Sequence, residues 1–143
     1  MKIFNTGSAH WTGGMKDGRG SISTQSGALA AHPYGFTSRF EGKAGTNPEE
    51  LLGAAHAACF NMSLSRILGE AKLTADWMET SAKVTLEQLG GAWTISAIHL
   101  TLRAKVPSAD AAAFSELAAK AKAGCPVSRA LNASITLDAA LVE

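Results

Sequence analysis

Apolar positions along this chain follow two rhythms, and the denser one is helical. In residues 46–70 (TNPEELLGAAHAACFNMSLSRILGE), Leu51, Leu52, Ala54, Ala55, Ala58, Cys59, Phe60, Met62, Leu64, Ile67 and Leu68 cover most of a helix circumference instead of one stripe. A helix apolar nearly all round is buried on several sides, so the rest of the chain is expected to wrap it. Its start is well specified. Asn47 can cap the first turn, Pro48 sits where a missing N–H costs nothing, and Glu50 stands three residues past the cap, as a capping box requires.

Elsewhere the pattern has the period of two that predicts strands. Residues 2–12 alternate loosely, a glycine-rich turn follows at 13–20, and 21–26 alternate again. Residues 34–41 (YGFTSRFE) put Tyr34, Phe36, Ser38 and Phe40 on one face and Thr37, Arg39 and Glu41 on the other, which predicts a third strand ending just before the helix. Residues 80–89 and 93–106 read as a long hairpin about Gly90 and Gly91, and a phase slip in its second arm predicts a bulge. A second helix is predicted from Ser108 or Ala109 to Ala123, with Gly124 as its stop. Cys125-Pro126-Val127 then opens a short helix to Leu131, and 134–142 alternate as a final strand. The expectation is one α+β domain over 1–143.

Composition narrows what this domain could do. With 143 residues, 46% of them hydrophobic and 17% charged, the chain can build a core of its own. A formal net charge of +1 and the lack of any basic run argue against nucleic acid or an acidic membrane as partner. Glu49, Glu50, His56, Asn61 and Arg66 argue against reading the central helix as a membrane span. Residues 1–14 lack the basic, apolar, small-residue order of a secretory signal, so a reducing cytoplasm is the expected location.

The two cysteines, Cys59 and Cys125, are too far apart in sequence for a zinc knuckle or a CxxC pair, and a permanent disulfide is out of place in the cytosol. Transient redox chemistry remains open. Cys125 precedes a proline at a helix start, where free N–H groups and the dipole favour an anion. Cys59 has no such help in mid-helix, and apolar surroundings disfavour its thiolate, so a reactive Cys59 needs a nearby cation. Arg39 is the candidate. His56 lies one turn from Cys59 and could form a Cys–His dyad, as in an acyl hydrolase, or half a metal site. A lone histidine on an apolar helix is more often a hydrogen-bonded core residue. His10, His32 and His99 show no ligand spacing, so no metal is assigned, and no glycine-rich loop precedes a helix to hold a phosphate. The cysteines alone equally allow a non-catalytic redox sensor or a stress-induced structural dimer.

The segments AHWTGGMKDGRGSIST, PYGFTSRFEG, GTNPEELLGAAHAACF and KAGCPVSRALNASITLD resemble, almost end to end, the OsmC/Ohr family and specifically its OsmC branch. The resemblance implies an intertwined α+β homodimer with antiparallel sheets wrapped around central helices. It also implies reduction of organic hydroperoxides, and more weakly hydrogen peroxide, by cysteine chemistry without a bound cofactor. Its peroxidatic cysteine falls on Cys59, its resolving cysteine on Cys125, and its activating arginine and glutamate on Arg39 and Glu49. The two cysteines would join in an intrasubunit disulfide that an external dithiol reduces, lipoylated protein being the donor associated with the Ohr branch. Ten residues on an unbroken helix span about 15 Å, so Glu49 is expected to serve the Cys59 of the other subunit.

Overall fold

The structure, a computed structural model, describes residues 1–143 and forms two compact units, Met1–Leu51 and Leu52–Glu143. In the first, β1 (Gly7–Thr12), β2 (Arg19–Thr24) and β3 (His32–Tyr34) form an antiparallel sheet in that order. The register aligns Trp11, Gly20 and Tyr34 across the three strands. Trp11 and Tyr34 lie with ring centroids 5.5 Å apart, and a Cβ on Gly20 would fall 2.3 Å from the Tyr34 ring. Glycine is needed there because two aromatic rings close over its backbone.

The predicted third strand is largely replaced by a helix. β3 ends at Tyr34, and Phe36–Phe40 form the short helix α1, which carries Arg39. The buried Ser38 hydroxyl accepts the Gly35 N–H at 3.0 Å and donates to the Thr46 carbonyl at 2.8 Å. Phe36 and Phe40 meet one turn apart with centroids 4.9 Å from each other. Those aromatic positions fit an i, i+4 helix pair as well as strand alternation, and the serine's bonds across the loop settle the choice.

Helix α2 (Pro48–Glu70) starts where expected. Asn47 Oδ1 accepts the Glu50 N–H at 2.8 Å. The Glu50 carboxylate takes a hydroxyl from Thr46 at 2.5 Å, outside the predicted capping box.

In the second unit, β4 (Trp77–Leu89) and β5 (Ala92–Lys105) make the long hairpin. Gly90 and Gly91 at its tip have φ of +57° and +83°, as a tight primed turn demands. The bulge is present: Thr85 pairs with Ala97 and Leu86 with Ile95, leaving Ser96 unpaired. Helix α3 (Ala111–Gly124) is capped by Asp110, whose carboxylate accepts the Ala113 N–H at 3.0 Å, so it starts later than its sequence suggested. Helix α4 (Pro126–Ala130) follows, then β6 (Ser134–Leu141), which joins β5 in parallel. Parallel pairing requires a crossover of a dozen or more residues, and α3 and α4 supply it. The sheet β4-β5-β6 is therefore mixed, antiparallel between β4 and β5 and parallel between β5 and β6.

Alternate residues of β5 (Ile98, Leu100, Leu102, Ala104) are fully buried in one cluster with Phe60, Leu64 and Leu68 of α2 and Phe114, Ala118 and Ala121 of α3. The buried positions of α2 are Gly53, His56, Phe60, Leu64, Ile67 and Leu68. Ala54, Ala55, Ala58 and Met62 are exposed. Within one chain α2 is thus covered along one stripe, not on the several sides its composition predicted.

Candidate active site

Cys125 is shared by two helices. Its backbone N–H closes α3 on the Ala121 carbonyl at 3.0 Å, while its sulfur caps α4 by accepting the Ser128 N–H at 3.3 Å. Pro126 behind it begins α4 without an N–H to satisfy. Cys125 is fully buried and Cys59 half-buried on α2, and both thiols are free. The two sulfurs are close enough for each to influence the other's ionisation, and the Val127 N–H favours the Cys59 thiolate. The first turn of α4 therefore offers one backbone donor to each sulfur, Val127 to Cys59 and Ser128 to Cys125.

Burial pushes the Cys59 thiol above its ordinary pKa. The Val127 N–H works against that shift, and contact with Cys125 adds to it. A thiolate at Cys59 accordingly needs positive charge beyond one amide N–H.

In the first unit Arg39 and Glu49 form an ion pair. Nε of Arg39 lies 3.1 Å from Oε2 and 3.2 Å from Oε1 of Glu49, and Nη2 lies 2.6 Å from Oε1. The Glu49 side chain is only 12% exposed and that of Arg39 32%, so the pair is shielded more than a surface salt bridge. The arginine's Cζ stands 5.4 Å from the Phe40 ring centroid. The four candidate residues are joined in two pairs, Arg39 with Glu49 and Cys59 with Cys125.

His56 is fully buried, and its Nε2 lies 2.7 Å from the Ser128 hydroxyl. The dyad considered from spacing alone is therefore replaced, since the ring's bonded nitrogen goes to Ser128 and not to Cys59. Burial holds the imidazole pKa below its ordinary value. Ser128 was not singled out in the sequence. Its one signal there was its place in the third position after the capping Cys125, where a side chain can reach back to the cap. No three His, Cys, Asp or Glu side chains cluster as metal ligands, and no helix is long and apolar enough to cross a membrane.

Fold and site together define an α+β protein built on a two-thiol centre. The family model described as OsmC-like protein matches residues 40–140, and the chain belongs to the OsmC family. It is 53% identical over 138 residues to Peroxiredoxin OsmC of Escherichia coli (strain K12), covering 96% of both chains. It is 30% identical over 118 residues to the organic hydroperoxide resistance protein OhrB of Bacillus subtilis (strain 168), covering 81% of this chain and 84% of the relative. The OhrB crystal structure aligns over 94% of this chain and 98% of its own with a TM-score of 0.71 at 28% identity. A crystal structure of an OsmC-like protein from Mycoplasma pneumoniae shares the fold, with a TM-score of 0.78 over all of both chains at 14% identity.

Proposed function

We propose that this protein is a cysteine-based peroxidase that reduces organic hydroperoxides to alcohols. The observation that carries the reading is the proximity of two free thiols at the start of α4, where the Ser128 N–H bonds the Cys125 sulfur and the Val127 N–H favours a thiolate at Cys59. The names of its relatives, a peroxiredoxin and an organic hydroperoxide resistance protein, support the same chemistry.

In this reading Cys59 is the attacking thiolate. Its sulfur takes the distal oxygen of the hydroperoxide, the O–O bond breaks, and the alkoxide leaves as alcohol once protonated. Arg39, its guanidinium held by Glu49, is the cation this reading assigns to the thiolate. At an effective dielectric near 20, opposite charges about 4 Å apart attract by about 4 kcal/mol, enough to offset a burial penalty of two or three pKa units. The N–H fork also suits the departing alkoxide. Cys59 is left as a sulfenic acid, Cys125 displaces its hydroxyl to form the intrasubunit disulfide and water, and an external dithiol resets both thiols. A reducing cytoplasm would supply that dithiol.

A homodimer completes the reading. The exposed apolar face of α2, with Ala54, Ala55, Ala58 and the 77%-exposed Met62, is what a second copy would cover. The test is turnover of cumene hydroperoxide with dithiothreitol or a lipoylated protein as reductant. Consumption of many equivalents, lost in Cys59→Ser, is expected. A single equivalent consumed per Cys59 in the presence of reductant would make the protein a redox sensor instead.

A further inference from the structure

His56 is completely buried, yet the cycle of attack, condensation and reduction assigns it no task. Its Nε2 lies 2.7 Å from Ser128 Oγ, and that oxygen lies 3.3 Å from Cys125 Sγ. The other ring nitrogen, Nδ1, is buried with no hydrogen-bond partner. Leaving a buried polar atom unpaired costs stability, so an imidazole is a poor choice for filling this space. What distinguishes it from an apolar side chain here is the bond through Ser128 to the thiol.

We propose that Ser128 and His56 form a proton relay for Cys125, the thiol that closes the disulfide. The inference rests on the two-cysteine cycle above and assigns its second step. The hydrogen bonds can run in either direction without moving a heavy atom. With Cys125 as thiol, S–H donates to Ser128 Oγ and Ser128 O–H donates to His56 Nε2, the ring's own proton being on Nδ1. With Cys125 as thiolate, His56 Nε2–H donates to Ser128 Oγ and Ser128 O–H donates to the sulfur.

The condensation balances through this chain. An electron pair on the Cys125 sulfur forms the S–S bond with Cys59 as the S–O bond of the sulfenic acid breaks. The Cys125 proton passes to Ser128, whose own proton passes to His56. Hydroxide departs from Cys59 and takes up a proton to become water, and His56 returns its extra proton through Ser128, so that the net products are the disulfide and one water with the ring neutral again. Cys125 needs such an acceptor because it is sealed from solvent. Burial keeps the ring in the neutral form able to accept.

The experiment follows disulfide formation by rapid quench and mass spectrometry after one equivalent of cumene hydroperoxide, with dimedone trapping of the sulfenic acid. Ser128→Ala is expected to leave the consumption of Cys59 thiol at the wild-type rate while slowing disulfide closure at least tenfold, so that sulfenic acid accumulates. Ser128→Thr, which keeps the hydroxyl, should close at close to the wild-type rate, and His56→Gln should resemble Ser128→Ala. Should His56→Gln not fold, the alanine and threonine variants at 128 carry the comparison, since neither changes the core. The same series is run with diamide, which oxidises the thiol pair without peroxide chemistry. A wild-type protein inert to hydroperoxide, whose diamide closure still depends on the 128 hydroxyl, would sink the peroxidase reading and keep the relay. Equal closure rates in Ser128→Ala and wild type, or in Ser128→Ala and Ser128→Thr, would overturn the relay.

Discussion

Arg39 holds Glu49 through two different side-chain nitrogens, Nε at 3.1–3.2 Å and Nη2 at 2.6 Å, so the guanidinium is fixed in plane and not merely neutralised. That grip leaves other N–H groups of the fork free to meet an anion. Lysine has the charge without the fork.

Arg39→Ala should therefore slow hydroperoxide reduction by at least two orders of magnitude, and Arg39→Lys should recover only part of the loss. Burial already lifts the Cys59 pKa, so removing the cation proposed to oppose that lift should move the alkylation of Cys59 to higher pH. An unchanged alkylation profile would take Arg39 away from the thiol.

The two sulfurs have unequal settings, Cys59 half-buried on α2 and Cys125 sealed at the α3–α4 junction. The more accessible one should meet the peroxide. Cys59→Ser should abolish turnover, whereas Cys125→Ser should undergo one oxidation and trap Cys59 as a sulfenic or overoxidised acid. After one equivalent of peroxide, non-reducing electrophoresis of the wild type should show only the monomer mass. A covalent species at twice that mass would count against an intrasubunit disulfide, and dimedone labelling confined to Cys125 would reverse the assignment.

α2 is continuous from Pro48 to Glu70, with no break between Glu49 and Cys59. The spacing argument for a Glu49 supplied by the other subunit accordingly keeps its premise. Mixing Cys59→Ser with Glu49→Gln subunits, each inactive alone, should restore part of the activity, because one site of every heterodimer then carries neither lesion. No recovery from a heterodimer verified by mass would place Glu49 in the same subunit as the Cys59 it serves.

His56 gives the fold an acid-sensitive element. Because burial depresses its native pKa below the ordinary value of about 6.5, the unfolded chain binds the proton first as pH falls. The stability this neutral histidine allows is present above about pH 6.5 and is lost as pH falls through the depressed native value. Urea midpoints measured from pH 7.5 down to 4.5 should decline, and His56→Gln should flatten the part of the decline nearest neutrality. An equally steep profile in the variant would assign the acid loss to the carboxylates.

Elements whose cause is local could be read directly from the order of residues. Asn47 and Pro48 start α2 because a cap and a missing N–H act within one turn. Gly90 and Gly91 turn the hairpin because both backbones take positive φ. The phase slip marked the bulge at Ser96 because side chains alternate strictly along a strand. The family motifs were likewise legible, since they are contiguous runs.

Elements whose cause lies far along the chain became visible only once it was folded. Phe36–Phe40 became helix and not strand because Ser38 reaches the Thr46 carbonyl, a bond that no alternation of apolar residues encodes. β6 turned parallel because its partner edge of β5 is reached through the α3–α4 crossover. Ser128 lies 72 residues beyond the histidine it bonds, so the relay has no periodicity to betray it. The contact of Cys59 with Cys125 is of the same kind: residue type suggested that each could react, but only packing the start of α4 against α2 put the two sulfurs within reach of each other.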